Sequence, residues 1–296
     1  MVGILVLMAV AVITFALTNA AIDPASAIAG DSASAQDIQT IRELYGFDRP
    51  LYMQFASWAQ DMVAGDFGQS YRQRRPAIDV VLERLPVTMT LGLTAFLLAL
   101  VVAIPLGIVA GLRPNSWIDR LALGFAVLGQ AIPNFWFALM GMVIFSVNLQ
   151  ILPVSGSESW QNFVLPSIAL AYYAVPTMMR LTRAGIIDVM QSDYIRTARA
   201  KGLRPAKIVL KHALRNAILP LVSVAAVQLG MMLGGSVVIE TIFAMQGIGY
   251  LAWESITMSD PPVVQAIVLI VASFYVLLTF AADIINAWLD PRLRAR

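Results

Sequence analysis

Charged residues in this chain fall in clusters, and long apolar stretches run between them. Six stretches reach the length a helix needs to cross lipid: Met1 to Ile22, Leu85 to Leu112, Leu121 to Ser157, Ser159 to Met179, Asn216 to Ile239 and Pro261 to Ala282. That length is about 20 residues, at a rise of ~1.5 Å each through ~30 Å of hydrocarbon. The second and third stretches exceed one span, so their ends are expected to be loop. The pattern predicts an all-α, polytopic membrane protein with six transmembrane helices. It divides into a first helix over 1–22, a helical extracytoplasmic segment over 23–84 and a five-helix core over 85–296, with a cytoplasmic loop over 180–215 between the fourth and fifth spans. Pro105, Pro133, Pro166 and Pro176 lie inside apolar stretches and predict kinks, since neighbouring helices can satisfy the carbonyls that proline frees.

Composition agrees with the pattern. The chain is 59% hydrophobic and 13% charged, where soluble domains run at roughly 45–50% and ~25%. A charge at mid-membrane costs roughly 2.5–3.5 kcal/mol on insertion, which is why the charges stay outside the stretches. There are no cysteines, so neither a disulfide framework nor a thiolate metal site can form. His212 is the only histidine, which excludes a paired-histidine zinc helix, and no metal site is expected.

Orientation follows from the basic residues, because short Lys- and Arg-rich loops stay in the cytoplasm. With the N-terminus inside, Arg113 and Arg120, the loop from Arg180 to Arg215, and the tail residues Arg292, Arg294 and Arg296 all lie on the cytoplasmic side. The opposite loops, around Ser155 to Asn162 and Ala244 to Pro262, contain no Lys or Arg. Both termini are therefore expected in the cytoplasm. The first span lacks flanking basic residues at Met1 and reads as an uncleaved anchor, with a start upstream of Met1 left open.

The segment Asp23 to Arg84 holds two helical patterns, Gln36 to Leu44 and Leu51 to Met62, separated by a break at Gly46 to Pro50. Ile38, Ile41, Leu44 and Tyr45 recur at three- and four-residue spacing, which predicts an apolar face and a small packed cap. A turn-rich stretch, Gly65 to Ser70, precedes Arg72, Arg74 and Arg75. Two readings stay open for it: a surface turn with lipid headgroup contacts, or a docking surface for an outside partner.

The loop Arg180 to Arg215 is far longer than a reversal of direction needs. Asp193 suits the positive end of a helix dipole, Gly202 suits a left-handed helix exit, and Pro205 fits the first turn of a second helix with Ile208, Val209 and Leu214 on its apolar side. Ala198 and Ala200 leave little bulk, and Arg196, Arg199 and Lys201 supply charge. Such a peg could enter a groove on another protein. The alternative is a basic loop lying on anionic lipid, which accounts for the charges but not for the Gly202–Pro205 break.

The same residues resemble the membrane subunits of binding-protein-dependent ABC importers, in the dipeptide/oligopeptide permease B branch. The resemblance rests on Asp193-Tyr194-Ile195-Arg196-Thr197-Ala198-Arg199-Ala200-Lys201-Gly202, continuing through Lys211 to Asn216 and Ile218 to Pro220. It extends to Gly65–Ser70, Leu85-Pro86-Val87-Thr88, Ile239–Phe243, Gly247-Ile248-Gly249 and Val263-Val264-Gln265. One departure is Arg196-Thr197-Ala198, where the general importer motif opens with Glu-Ala-Ala; the peptide branch tolerates it. The resemblance implies a coupling helix seated in a cleft of a cytoplasmic ATPase, carried here by Arg196, Thr197, Ala198, Arg199, Ala200, Lys201, Gly202, Leu203 and Pro205.

It further implies a second homologous permease subunit, two ATPase subunits, an extracytoplasmic substrate-binding protein and contact with membrane lipid, in the inner membrane and with no nucleic acid. No cofactor is expected on this chain. ATP and Mg would sit on the partner subunits, because none of Lys201, Lys207 and Lys211 lies in the Gly-Lys-Ser/Thr sequence of a phosphate-cradling loop. Branch members handle dipeptides, longer peptides, glutathione and nickel complexes.

Polar residues within spans tend to face the bundle interior or a wet path. Gln130, Asn134, Ser223 and Gln228 are the path candidates, with interhelical hydrogen bonding as the alternative for each. Glu240 and Asp283 are expected at wet span ends, which argues against the runner-up function, a proton-coupled carrier. An intramembrane enzyme finds no support: the chain has no Gly-x-Ser-x-Gly nucleophile turn, no His-Glu zinc pair and no two mid-membrane aspartates. No catalytic residue is expected.

Overall fold

The computed structural model describes residues 2–30 and 33–289; the tail arginines Arg292, Arg294 and Arg296 lie outside the described residues. Capping chemistry sets many of the helix ends. Helix α1 (Val2–Ala21) gives way to a short α2 (Pro24–Ala29) with proline in its first turn. Next, α3 (Ala35–Tyr45) opens on a reciprocal cap: Ser34 Oγ accepts from the Asp37 amide at 3.2 Å and the Asp37 carboxylate from the Ser34 amide at 3.1 Å. Helix α4 (Leu51–Val63) follows.

Helix α5 (Ala77–Leu112) begins well before Leu85, where the apolar stretch starts. Asp79 sits in its first turn, where the helix dipole favours a carboxylate, and Glu83 pairs with Arg75, so the charges that end the apolar run do not end the helix.

The stretch Leu121 to Ser157 holds more than a kink. It forms α6 (Trp117–Ala131) and α7 (Asn134–Gly141), the latter running on as π-helical turns over Met142–Asn148, and the two arms are bent by 96°. Ile132 is forced extended (φ −90°, ψ 125°) ahead of Pro133, which breaks the helix there. Pro166, by contrast, falls in the first turn of α8 (Val164–Met190), where a missing N–H costs nothing, and only Pro176 lies in that helix's interior.

Helix α8 continues through Arg180 and Arg183 to Met190, so the break in helix comes at Gln191 and not at Arg180. The chain then forms α9 (Asp193–Ala200), α10 (Pro205–Lys207) with π-helical turns over Ile208–Ala213, α11 (Leu214–Ala217) and α12 (Leu219–Ile242). Ala244 to Pro262, expected as a short loop, contains α13 (Ile248–Thr257), and α14 (Pro261–Leu289) follows. Among the described residues five helical segments are long and apolar enough to cross a membrane, and the bent pair is a sixth when counted as one span. Outside the helices, the described residues add one isolated bridge, Gln69 to Pro76.

Contacts divide the chain into two compact units, one of Met1–Thr88 with Gln246–Val276 and one of Met89–Met245 with Leu277–Arg296. In the first unit, Ala77, Val80 and Val81 of α5 pack with Ile248 and Leu251 of α13 and Val263, Ala266 and Ile267 of α14. The Thr88 hydroxyl accepts from the Ile248 amide at 2.8 Å and so caps α13. Helix α4 docks on α1 through an aromatic cluster, Phe15 with Phe55 and Trp58, at centroid distances of 5.4 and 5.3 Å. Gln265 ties three helices together: it accepts from Trp58 Nε1 at 2.9 Å and donates to Thr18 Oγ1 at 2.7 Å.

The packed cap expected of Ile38, Ile41, Leu44 and Tyr45 does not form on α3. Leu44 and Tyr45 remain 77% and 59% exposed, and α3 leans on α2, which at 6 residues is too short to cover its face.

The stretch from Gly65 to Arg75 folds back on itself and is clasped by one buried carboxylate. Asp260 accepts from the Ser70 hydroxyl at 2.5 Å and from the Tyr71 amide at 3.1 Å, while Arg72 Nε donates to the Met258 carbonyl at 2.7 Å. Hydrogen bonds to a charged group contribute about 1.5–3 kcal/mol each. Asp260→Ala is therefore expected to release this loop and speed tryptic cleavage after Arg72 and Arg74 at least tenfold; unchanged cleavage would show that the clasp does not hold it.

In the second unit α8 is the hub, packed on α6, α7, α11 and α12. Glu240, expected at a wet span end, is fully buried: Phe243 and Met245 close over the end of α12, and the Met245 amide donates to the Glu240 carbonyl at 2.8 Å. Asp283 is exposed, as expected.

Candidate functional site

Helix α9 and the turn after it form an exposed basic knob on an apolar foundation. Ser192 precedes α9 in extended conformation and Asp193 occupies its first turn. The helix ends as the sequence requires. Gly202 takes φ +69°, the Gly202 amide donates to the Arg199 carbonyl at 2.9 Å, and the Leu203 amide reaches back to the Ala198 carbonyl at 3.4 Å. Pro205 then opens α10.

Two residues of α9, Ile195 and Ala198, face inward and pack with Ile186 of α8, Ile208, Ala213 and Ala217, while Leu203 lies against the same cluster. The small size of Ala198 thus serves packing within the chain. Of the expected coupling residues, those left open are Arg196, Thr197, Arg199, Ala200, Lys201, Gly202 and Pro205. Arg196 reaches Asp193 at 3.2 Å, but both side chains are largely in solvent and such a pair contributes little. The π-helical turns over Ile208–Ala213 reset the register so that Ile208, Val209, Ala213 and Ala217 all face inward, and they leave His212 half-buried.

The foundation itself is closely packed. A Cβ at Gly107 would meet Thr182 at 2.6 Å and the Met179 carbonyl at 2.7 Å; one at Gly111 would meet the Arg183 carbonyl and Ile186 at 2.9 Å. On another face of α8, a Cβ at Gly185 would lie 2.2 Å from the Ala217 carbonyl oxygen. Helices α5, α8 and α11 therefore touch backbone to backbone directly beneath α9. An ion pair completes the base: Arg183 donates to Asp119 from Nε at 2.6 Å and from a terminal nitrogen at 2.7 Å, and Asp119 also accepts from the Asn115 amide at 2.8 Å. Such a fork-to-carboxylate pair fixes both partners' orientation as well as their charge.

The sequence reading named none of Asp119, Arg183 and Gly185 as paired or packed. The Gly107–Gly111 spacing is the small-residue pattern that lets membrane helices approach, and it was legible.

The four path candidates all lie in this unit. Gln130 and Asn134 flank the 96° bend. Gln130 accepts from an Arg180 Nη at 3.1 Å, and Asn134 Oδ1 is buried with no hydrogen-bond partner among the described residues. Ser223 on α12 accepts from Asn286 at 2.6 Å, an interhelical bond, and Gln228 is buried on α12. Among the described residues no group of His, Asp or Glu side chains could hold a metal ion.

Comparison with known proteins matches the sequence to a family. Residues 103–295 match the family described as "Binding-protein-dependent transport system inner membrane component", and residues 1–92 match its N-terminal counterpart, "Binding-prot-dependent transport system membrane comp, N-term". The chain is 41% identical over 272 residues to the glutathione transport system permease protein GsiC of Escherichia coli (strain K12), covering 92% of this chain and 89% of that protein. The protein of that name from Shigella dysenteriae serotype 1 (strain Sd197) is 41% identical over the same shares of the two chains.

Among solved structures, inward facing conformations of the MetNI methionine ABC transporter match with a TM-score of 0.61 at 19% identity, over 71% of this chain and 96% of that one. A crystal structure of an amino acid ABC transporter with histidines matches with a TM-score of 0.52 at 16% identity, over 72% and 94%. At such identity these two likenesses show the fold alone.

Proposed function

Because the chain belongs to the binding-protein-dependent transport system inner membrane components, we propose that the exposed knob from Arg196 to Pro205 is where it receives the stroke of a separate ATPase. The chain is the multi-pass inner-membrane permease subunit of a peptide-type ABC importer and is not itself catalytic. In the proposed arrangement it pairs with a second permease, two ATPase subunits that hold ATP and Mg, and an extracytoplasmic binding protein. Both termini and the knob face the cytoplasm. The 41% identity to glutathione permeases over 92% of the chain supports a peptide-like substrate and, within that class, glutathione.

One observation carries the coupling assignment: a short helix, closed by a left-handed glycine and ringed with exposed basic side chains, is seated by Ile195 and Ala198 on a closely packed part of the second unit. A push on the knob is delivered to α8 without slack, and α8 contacts both arms of the bent span. In this reading Gln130 and Asn134 line the path, with the buried Asn134 carbonyl oxygen left without a partner among the described residues, whereas Ser223 and Gln228 serve helix packing.

The test is co-purification of the tagged chain in mild detergent, with companions identified by mass spectrometry. Wild type is expected to bring down a nucleotide-binding subunit and a second permease. Arg199→Glu with Lys201→Glu, both exposed, is expected to lose at least nine-tenths of the nucleotide-binding subunit while keeping the second permease. Full retention of the ATPase by that variant would remove the knob from the coupling role. A wild-type chain isolated alone and stable would favour a carrier.

A further inference from the structure

Two adjoining cavities of about 210 and about 690 Å³ lie within the first unit and share Tyr45, Phe47, Trp58, Asp61, Tyr71 and Gln265, so they form one cleft. Its volume falls in the range of about 300–1,000 Å³ typical of small-molecule sites.

Much of the wall is aromatic, and charged groups on it are left without partners. Neighbouring charges are spent on each other, Arg42 on Asp23 and Arg75 on Glu83. The Asp61 carboxylate and the Arg74 guanidinium have no ionic or hydrogen-bonding partner among the described residues. Asp61 borders both cavities, Arg49 lines the smaller and Arg74 the larger.

The floor is fixed in place. Trp58 and Gln265 hold each other at 2.9 Å, and the Asp260 clasp holds Ser70 and Tyr71. Arg74 sits in the left-handed region at φ 52°, an uncommon place for a residue other than glycine, with its amide donating to the Ser70 carbonyl at 3.0 Å. Burial, with the Asp260 charge nearby, pushes the Tyr71 phenol up to about 12, so it remains a neutral hydroxyl donor through the physiological range.

We propose that this cleft is a binding site for a short peptide with free termini, its ammonium group at Asp61 and its carboxylate at Arg74. An unpaired carboxylate and an unpaired guanidinium across one cleft complement a zwitterion, and aromatic faces attract an ammonium group while packing against peptide planes. A single amino acid would leave most of about 690 Å³ unfilled, whereas a peptide of a few residues fills it. The site rests on the peptide-importer reading for its ligand class, and neither of the path candidates Gln130 and Asn134 lines it. It lies in the segment expected on the outer face, where it would take up substrate before the bundle does.

The experiment is calorimetric titration of the full-length chain in lipid nanodiscs with alanyl-phenylalanyl-alanine and with its N-acetylated and C-amidated forms. Wild type is expected to bind the free tripeptide, and either blocking group is expected to weaken binding at least tenfold. Asp61→Asn is expected to weaken the free peptide tenfold or more and to have little further effect on the N-acetylated form; Arg74→Gln is expected to do the same for the C-amidated form. No binding by wild type, or binding indifferent to both substitutions and both blocked ends, overturns the site. Co-purification of the nucleotide-binding subunit is measured on the same preparations. If it persists while the titration is silent, only the site falls; if it is absent, the importer reading falls whatever the titration gives.

Discussion

Replacing Gly185 with valine is expected to cut ATP-driven peptide uptake at least tenfold while the chain still inserts in the membrane. A Cβ at this position stands 2.2 Å from the Ala217 carbonyl oxygen, closer than any real contact, and the obstacle is backbone that no rotamer change can move. Helices α8 and α11 must part to admit the side chain. Ordinary overpacking costs about 1–3 kcal/mol, and an obstacle of this kind belongs at or above the top of that range.

Ile186 and Ala217 belong to the cluster that seats Ile195 and Ala198, so parting them loosens the foundation of α9. A loss of about 3 kcal/mol in the seated arrangement corresponds to roughly a hundredfold in its population. Uptake of labelled peptide and retention of the ATPase should therefore fall together by tenfold or more. Gly124→Ala is the control, because a Cβ there meets nothing within 4 Å. Uptake in Gly185→Val at the level of that control would show that the close approach of α8 and α11 is not needed for coupling.

Asp119→Leu is expected to cost about 2–4 kcal/mol of stability. Removing one partner of a buried ion pair costs about 3–5 kcal/mol because the other charge is left uncompensated. The lower figure here reflects Arg183, whose side chain is 22% exposed and reaches some water, whereas Asp119 is 2% exposed. The measurement is the half-life of the monodisperse protein in detergent at a fixed temperature. The double variant Asp119→Leu with Arg183→Leu should recover most of the lost lifetime, since a well-packed apolar pair replaces an ion pair at little net cost. An Asp119→Leu protein as long-lived as wild type would mean the pair is ornamental, and a double variant worse than the single would mean that Arg183 has another partner to serve.

Much of this architecture is written in the apolar stretches, because lipid leaves a chain few options. The α9 exit at Gly202 and the restart at Pro205 were equally legible, since each residue type has one strong backbone preference there. Where the reading differed from the structure, the cause was physical in each case. Arg180 and Arg183 looked like loop because they are charged, yet a helix continues past the hydrocarbon wherever its charges find partners, as Arg183 finds Asp119. Leu121 to Ser157 looked like one span because composition cannot distinguish a proline kink from a 96° bend. The face predicted on α3 was real as a pattern but has no partner long enough to cover it. The clasp on Asp260 and the bridge through Gln265 join residues far apart in sequence, and no local spacing announces them.

The bent span carries a consequence for how the protein is made. Each arm, 15 residues of α6 or the 8 of α7 with the 7 π-helical ones after it, is about 22 Å long at most, too short to cross the hydrocarbon alone. What holds the arms is α8: Tyr172 stacks on Phe137 at 4.0 Å and donates to the Leu128 carbonyl at 3.1 Å, and Gly129 lies against Pro176. Helix α8 leaves the ribosome after the segment it secures. Residues 117–148 are thus the part of the chain whose place in the bilayer is settled retroactively, by a helix not yet synthesised when they emerge.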